Sequence, residues 1–252
     1  MPDIRRVPDY RPAPDLLAGR TVLITGAGAG IGAALAQAAG AHGATVVLLG
    51  RTVRKLETVY DAIKEAGGPE PAIYPMNLEG AAPKDYADLA ATLQAEFGHL
   101  DGLVHNAATL GTLTPFHQYP VETWSQVMQV NLNAPFLLTR ACLELLKAAP
   151  DASLVFSSAD VGRQGRAYWG AYAVAHAGNE SMMQILADEL ETNTAVRVNS
   201  IDPGPVRTAM RREAYPGEDE RQLPTPDAVV APYLYLLGPD SRPETGQQFA
   251  AQ

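Results

Sequence analysis

The chain has 252 residues, of which 46% are hydrophobic, and its formal net charge is −9. This size is ample for a substantial core. The acidic balance excludes a nucleic-acid footprint or a membrane-surface patch, because both require clustered Lys and Arg. No run of about 18 apolar residues is present, so we expect no membrane span. The single cysteine, Cys142, cannot form an internal disulfide and is expected to pack in the core, which is typical of a cytoplasmic protein.

Residues 1–18 contain four prolines and lack the apolar core of a signal peptide, so we predict an extended N-terminal arm. No interior linker divides residues 19–252, which predicts a single domain. One long stretch, 210–226, has no sustained periodicity. It suits a mobile segment over a cleft and an ordinary solvated loop equally well.

Apolar runs and helical patterns alternate along the chain. The predicted strands lie at 21–25, 45–49, 72–76, 102–105, 153–156 and 196–201. The predicted helices lie at 31–42, 53–65, 84–97, 122–146, 171–191 and 227–237. Because parallel strands need crossover connections, this alternation predicts a doubly wound parallel sheet with helices on both faces, a three-layer α/β/α sandwich.

A glycine-rich loop follows the first predicted strand directly. It reads Thr25-Gly26-Ala27-Gly28-Ala29-Gly30-Ile31-Gly32 and leads into a helix-forming run. Small residues let the backbone turn tightly and approach a pyrophosphate, whose charge is met by N–H groups at the helix start, as in a Rossmann fold. We therefore expect dinucleotide contacts from Gly26, Gly28, Ala29, Gly30, Ile31 and Gly32. A glycine-rich turn without a ligand is the alternative.

The end of the second predicted strand bears on the choice of cofactor. An acidic residue there would bind the adenosine ribose of NAD, but the sequence reads Leu49-Gly50-Arg51. The guanidinium of Arg51 could bind a 2′-phosphate, so NADP is preferred and NAD stays possible. Alternatively, Arg51 is only a solvated charge at the start of the next helix.

The motifs and their order resemble the short-chain dehydrogenase/reductase (SDR) family, in its short single-domain branch. The glycine spacing, His105-Asn106-Ala107-Ala108, Trp169-Gly170-Ala171-Tyr172 and the Pro-Gly segment at Pro203 carry this resemblance, which extends over nearly the whole chain. The run at 161–166, with Tyr172, also resembles a bacterial subgroup, the YciK-like oxidoreductases.

The resemblance implies roles for residues beyond the glycine loop. It implies Tyr172 as the catalytic acid/base, and Asn131 as the residue whose backbone carbonyl holds a water in a proton relay. It further implies cofactor contacts from Asn77, Leu78, Asn106, Ala107, Tyr172, His176, Pro203, Gly204, Val206 and Thr208. We expect no metal site.

Two positions depart from the family pattern. The family's lysine, four residues after the tyrosine, is His176 here, and its serine, thirteen residues before the tyrosine, is Ala159. A histidine with an unperturbed pKa of about 6.5 is only about one quarter charged at pH 7, so His176 would replace the lysine only in part. A shift of one residue could bring the Ser158 hydroxyl into play.

Other interpretations of these residues stay open. His176 could be a packed helix residue without proton chemistry, and Tyr172 a plain core aromatic. Asp160 is interpreted as a loop cap, because a carboxylate beside the substrate oxygen would oppose its developing charge.

The leading hypothesis is an NADP-dependent oxidoreductase that transfers hydride between the cofactor and a small carbonyl or alcohol substrate. The alternative is a catalytically impaired NADP-binding protein that acts as a sensor or subunit. A nucleotide-sugar epimerase is disfavoured by the glycine spacing. We expect a cytoplasmic homodimer or homotetramer that pairs through the helices at 122–146 and 171–191. A partly apolar substrate pocket is expected from Ala108, Leu110, Tyr168, Trp169 and the stretch 210–226.

Overall fold

A computed structural model describes residues 4–252 and contains one parallel sheet between two layers of helices. Its strands are β1 (Thr21–Thr25), β2 (Thr45–Gly50), β3 (Ala72–Pro75), β4 (Gly102–His105), β5 (Ala152–Ser157), β6 (Val196–Asp202) and β7 (Gln248–Ala250). The helices are α1 (Gly30–Ala41), α2 (Val53–Glu65), α3 (Pro83–Phe97), α4 (Val121–Met128), α5 (Ala134–Ala148), α6 (Asp160–Arg163), α7 (Gly170–Glu191), α8 (Ala209–Ala214) and α9 (Ala231–Leu237). The spatial order of the strands is β3-β2-β1-β4-β5-β6-β7, which confirms the doubly wound fold.

Strands β1 and β2 are mainly apolar because both faces of the sheet are covered. In β1, Val22 and Ile24 point into one core cluster and Leu23 into the other. The first cluster contains side chains of α1, α2 and α9, and the second contains side chains of α3, α5 and α7. Leu17, just before β1, is fully buried in the first cluster, and Cys142 is buried in the second.

The edge strand β7, which pairs with β6, was not predicted from the sequence. It is only three residues long and begins with a glutamine, so it has no apolar run that would indicate a strand. The backbone of Arg5 extends this edge further: its N–H donates to Gln248 O at 2.9 Å, and Ala250 N–H donates to Arg5 O at 2.9 Å.

The prediction of one continuous helix at 122–146 was wrong. A π-helical turn, Gln129–Asn133, separates α4 from α5. Such turns leave backbone groups outside the regular ladder and occur often at functional sites. The prediction for 227–237 was also too long, because a 3₁₀ turn, Pro226–Val229, precedes α9. The stretch at 210–226 contains most of a short helix, α8, which is N-capped by Thr208.

None of the helices within residues 4–252 has both the length and the apolar character needed to cross a membrane.

Candidate active site

The carboxyl ends of the strands open into a cleft with a volume of about 400 Å³. It is lined by most of the predicted site residues: Gly26, Gly28, Ala29, Gly30, Ile31, Arg51, Asn77, Leu78, Asn106, Ala107, Asn131, Ser158, Tyr172, His176, Pro203 and Thr208. Three of the predicted cofactor contacts, Gly32, Gly204 and Val206, are not among the lining residues.

The glycine loop requires glycine at both ends for different reasons. Gly26 has a φ of 68°, a conformation that L-residues rarely adopt. At Gly32, a Cβ atom would lie 2.4 Å from the Gly26 carbonyl oxygen. Gly32 therefore allows α1 to pack closely against the loop without lining the cleft. No side chain caps the amino end of α1, and its first turn holds no acidic residue, so this end can receive an anion.

The loop is supported from β4 by hydrogen bonds to Thr25. The Thr25 hydroxyl oxygen accepts from the backbone N–H groups of Asn106 at 2.9 Å and Ala107 at 3.0 Å. The side-chain amide of Asn106 also donates to the Thr25 carbonyl at 3.0 Å. Asn106 and Ala107 thus fix the floor of the cleft between β1 and β4.

The rim beside β2 is mainly positive. Arg51 and Lys55 line the cleft, and within the described residues neither side chain forms a hydrogen bond or an ion pair. Glu79 is the one acidic residue in the lining, and Asn77 accepts a hydrogen bond from its backbone N–H at 3.3 Å. This rim can receive a phosphate next to Arg51.

The segment after β6 is held in place by Asp202 and Gln252. Asp202 accepts from Gly204 N–H at 2.8 Å, where the glycine has a φ of 71°. The Gln252 amide donates to the carbonyls of Pro203 at 2.6 Å and Pro205 at 3.0 Å. As a result Pro203 and Thr208 reach the cleft, while Val206 is buried behind them.

Tyr172 and His176 lie one turn apart on α7 and face the cleft together. Their ring centroids are 4.3 Å apart, with the ring planes inclined at 54°. Helix α6 packs closely against this turn of α7. A Cβ at Gly162 would lie only 2.6 Å from the His176 Cβ. The His176 side chain is buried, and neither ring nitrogen has a hydrogen-bond partner in the described chain.

Burial changes the acid–base chemistry expected of this pair. It lowers the pKa of His176 to about 4, so the imidazole is neutral near pH 7 rather than one quarter charged. Burial also raises the pKa of Tyr172, and the negative charges of Asp202 and Asp160 raise it further. Tyr172 therefore holds its proton at neutral pH and does not act there as a free phenolate base.

The Ser158 hydroxyl is not free to donate a hydrogen bond to a substrate. It donates to Glu180, a buried carboxylate that also accepts from Ser200 at 2.7 Å and Gln248 at 2.8 Å. With its proton held by Glu180, Ser158 has none to offer a substrate oxygen. Asp160, interpreted from sequence as a loop cap, begins α6 and forms an ion pair with Arg166 at 2.6 Å.

The residues expected to form an apolar substrate pocket lie only partly in the cleft. Ala108 and Met210 line it, whereas Leu110, Tyr168 and Trp169 do not. The Trp169 ring packs behind the site, with its centroid 5.5 Å from that of Tyr172.

Residues 20–219 match the family model described as short chain dehydrogenase. The chain belongs to this family. It is 46% identical over 243 residues, 96% of both chains, to a curated relative of Escherichia coli (strain K12) described as the uncharacterized oxidoreductase YciK. The resemblance drawn from the motifs is thereby confirmed, including the YciK-like subgroup.

Solved structures give the same assignment. The short chain dehydrogenase is 55% identical to a protein from Pseudomonas syringae described as a member of this family, with a TM-score of 0.95 and coverage of 97% of this chain and 99% of that one. It is 46% identical to an Escherichia coli CFT073 protein whose structure is a complex with NADPH, with a TM-score of 0.92 and coverage of 96% and 100%.

A polar residue of this short chain dehydrogenase that was not among the predicted site residues holds the Asn131 turn. Asn179 lines the cleft, and its amide donates to the Asn131 backbone carbonyl at 2.8 Å. The Asn131 side chain is itself fixed by two bonds to the Thr109 backbone, at 2.8 and 2.9 Å. The carbonyl expected to hold a relay water is thus bonded directly by a side chain. Helical spacing could have indicated Asn179, because it lies seven residues after Tyr172 on the same helix face.

Proposed function

We propose that this short chain dehydrogenase transfers hydride between NADP(H) and a carbonyl or alcohol substrate, with Tyr172 as the proton donor. The observation that carries the proposal is a single cleft that extends from the glycine loop to the Tyr172 ring. The relative that is described as complexed with NADPH supports the choice of cofactor.

The residues present fit such a cofactor. The uncapped amino end of α1 suits a diphosphate, and Arg51, which has no ionic partner in the described part of its chain, suits a 2′-phosphate. The unpartnered ring nitrogens of His176 suit a polar group held deeper in the cleft. These three features support binding along the whole length of the cleft.

In this mechanism the glycine loop binds the diphosphate, and the segment at Pro203 and Thr208 orients the nicotinamide end. When bound, NADPH supplies the hydride. Tyr172, which is protonated at neutral pH because its pKa is raised, would donate its proton to the substrate oxygen as the negative charge develops there. Neutral His176 positions bound groups and does not lower the pKa of Tyr172. We therefore expect carbonyl reduction to be the faster direction.

The test is an NADPH titration by calorimetry followed by a carbonyl-substrate screen in the same sample. We expect NADPH to bind more tightly than NADH, and at least one carbonyl compound to be reduced. If neither nucleotide produces heat, the proposal is wrong, since the glycine loop then holds no dinucleotide. NADPH binding without turnover on any carbonyl would favour the second candidate.

That second candidate is a catalytically impaired NADP-binding protein that serves as a sensor or subunit. The engaged Ser158 hydroxyl, the methyl group of Ala159 and the neutral His176 favour it, because together they leave Tyr172 without a second donor or a nearby cation. The double variant Ala159→Ser with His176→Lys should then gain turnover while wild type has none. Robust turnover by wild type rejects this candidate.

We also propose that the chain acts in the cytoplasm as a homodimer or homotetramer paired through α5 and α7. Large apolar side chains stay exposed on these helices: Phe136 at 53%, Val174 at 43% and Ile185 at 54%. Burying them between copies would remove this surface from water. Light scattering coupled to gel filtration checks the assembly, and Phe136→Glu should shift it toward the monomer. A wild-type monomer at all concentrations would contradict the pairing.

A further inference from the structure

A buried guanidinium lies behind the reacting end of the cleft. Arg163, the last residue of α6, belongs to the run at 161–166, and the proposed mechanism uses no residue of that run. Its Nη2 donates to the Asp202 carboxylate at 2.5 Å, and its Nη1 lies 3.9 Å from the Glu180 carboxylate. The side chains of Arg163, Asp202 and Glu180 are 16%, 11% and 7% exposed, and none of them is among the lining residues of the cleft. We call these three side chains the Arg163 cluster.

The Arg163 cluster joins three elements that meet at the site. Arg163 ends α6, Glu180 lies on α7, and Asp202 ends β6. Glu180 is fixed in turn, because it accepts hydrogen bonds from side chains of β6 and β7 at 2.7 and 2.8 Å. A planar guanidinium directs its N–H donors along fixed directions, so it can hold two carboxylates at a defined separation. Asp202 is thereby held in place relative to α7, the helix that carries Tyr172.

The two oxygens of the Asp202 carboxylate have different partners. Oδ2 accepts from Arg163, whereas Oδ1 accepts from the Gly204 backbone N–H at 2.8 Å. Gly204 has a φ of 71° and lies between Pro203 and Thr208, which both line the cleft. The orientation of one carboxylate therefore connects Arg163 to the backbone that borders the cleft after β6.

Stability alone does not account for a buried cluster of ions. Charges are costly to remove from water, and a well-packed apolar group in their place is often as stable. The Arg163 cluster also holds two carboxylates for one cation, which is a poor arrangement for stability. An apolar group, however, could not orient the Asp202 carboxylate toward the Gly204 N–H. A fixed geometry is thus what the buried guanidinium supplies.

We propose that Arg163 is a positioning residue, which acts through Asp202 to fix the segment at 203–208 where it orients the nicotinamide end of NADPH. For its ligand, this inference rests on the proposed function. It adds a residue that touches neither the cofactor nor the substrate. Without Arg163 the segment loses its fixed place, while the glycine loop keeps its shape. The loss should therefore fall on ligands that carry a nicotinamide.

The first measurement needs no ligand. Hydrogen exchange followed by mass spectrometry reports how firmly the backbone at 203–208 is held. In Arg163→Met we expect exchange there to be about tenfold faster, with exchange at 196–201 in β6 unchanged. Arg163→Lys keeps the positive charge and should recover most of the protection. The control is Arg166→Met, since that arginine is 54% exposed and pairs with Asp160 at the surface, so its loss should leave exchange at 203–208 as in wild type.

The second measurement compares two ligands by calorimetry. NADPH carries the nicotinamide, whereas 2′,5′-ADP lacks it. We expect Arg163→Met to raise the Kd of NADPH by about tenfold and that of 2′,5′-ADP by less than about twofold. Arg163→Lys should restore much of the NADPH affinity, and Arg166→Met should change neither Kd. A purely structural role would weaken both ligands together.

The outcomes separate this inference from the proposed function. If wild type binds no NADPH, the proposed function fails, and exchange on the free protein still decides whether Arg163 fixes the segment. Unchanged exchange at 203–208 in Arg163→Met overturns the inference, and so does an equal loss of NADPH and 2′,5′-ADP. Should Arg163→Met not fold, Asp202→Asn takes its place, because it leaves Arg163 and Glu180 as a balanced pair. The same local increase in exchange is then expected, and its absence contradicts the inference.

Discussion

The two ends of the cleft differ in how they bind and in how much each depends on single side chains. At the phosphate end, the shape of the Gly26–Gly32 loop and the charge of Arg51 determine what can bind. At the reacting end, Tyr172 faces a neutral imidazole, and the Ser158 hydroxyl is already bonded to Glu180. We therefore expect nucleotide binding and proton transfer to be separable in this molecule: the first can persist where the second is weakened.

The largest effect is expected from Tyr172→Phe. This change removes the only proton donor that we assign to the substrate oxygen, so turnover should fall by about a thousandfold. NADPH affinity should change by less than about twofold, because the phosphate end is untouched. Steady-state rates and calorimetry on the same preparation measure both quantities. Turnover that survives in the variant would show that another group donates the proton, and the two ends would then not differ as described.

Gly32→Ala should have the next largest effect, and at the opposite end. The new methyl group would lie 2.4 Å from the Gly26 carbonyl, so α1 must move away from the loop that we propose binds the diphosphate. Overpacking of this kind costs about 1–3 kcal/mol, so the NADPH Kd should rise by up to about a hundredfold. Gly80→Ala is the matched control, because a Cβ there has no neighbour within 4 Å. If Gly32→Ala and Gly80→Ala bind NADPH equally well, the shape of the glycine loop does not determine binding at the phosphate end.

The phosphate end could be predicted from sequence because its determinants are local. The glycine spacing, the preceding strand and Arg51 all lie within one β-strand–helix–β-strand unit, and each has a direct physical meaning. The doubly wound parallel sheet followed from the alternation of strands and helices, whereas the three-residue edge strand β7 and the π-helical turn did not, since neither changes the apolar pattern.

The reacting end could be predicted only in part. The spacing from Tyr172 identified His176 and Ala159, but the consequences depend on tertiary contacts. The Asn179 bond to Asn131 and the Ser158 bond to Glu180 join residues that are 48 and 22 positions apart. The burial that makes His176 neutral could not be predicted from the sequence, so the expected partial positive charge was wrong.

The stability of the protein at low pH should show that His176 is neutral in the folded chain. The pKa of His176 is about 4 in the folded chain and about 6.5 when unfolded, so between these values the unfolded chain binds more protons. Stability is therefore lost as the pH falls through this window, by about 2 kcal/mol between pH 7 and pH 5 for this residue. Urea unfolding at both pH values should show His176→Leu losing about 2 kcal/mol less than wild type.

The exposed His117 provides the control for the acid experiment, because His117→Leu should keep the wild-type loss. His105 is also buried, with its pKa lowered to about 3, and adds to the loss in every sample without changing the difference.

Between pH 6 and pH 8, carbonyl reduction should vary by less than about twofold, since neither His176 nor Tyr172 titrates there. Activity that rises toward pH 6 would show a charged imidazole and contradict the neutral reacting end.

The smallest effect is expected from Arg51→Ala. Arg51 is exposed on the rim, so water screens its charge and limits its contribution to binding a 2′-phosphate. We expect NADPH affinity to fall by about tenfold, NADH affinity to stay within about twofold, and the NADPH loss to shrink at high salt. Arg54→Ala, an exposed arginine of α2 outside the cleft lining, should change neither nucleotide. An equal loss of affinity for NADPH and for NADH would mean that Arg51 binds a phosphate that both cofactors share. In that case charge at the phosphate end would help hold the dinucleotide without selecting NADP, and selectivity would have to come from another part of the rim.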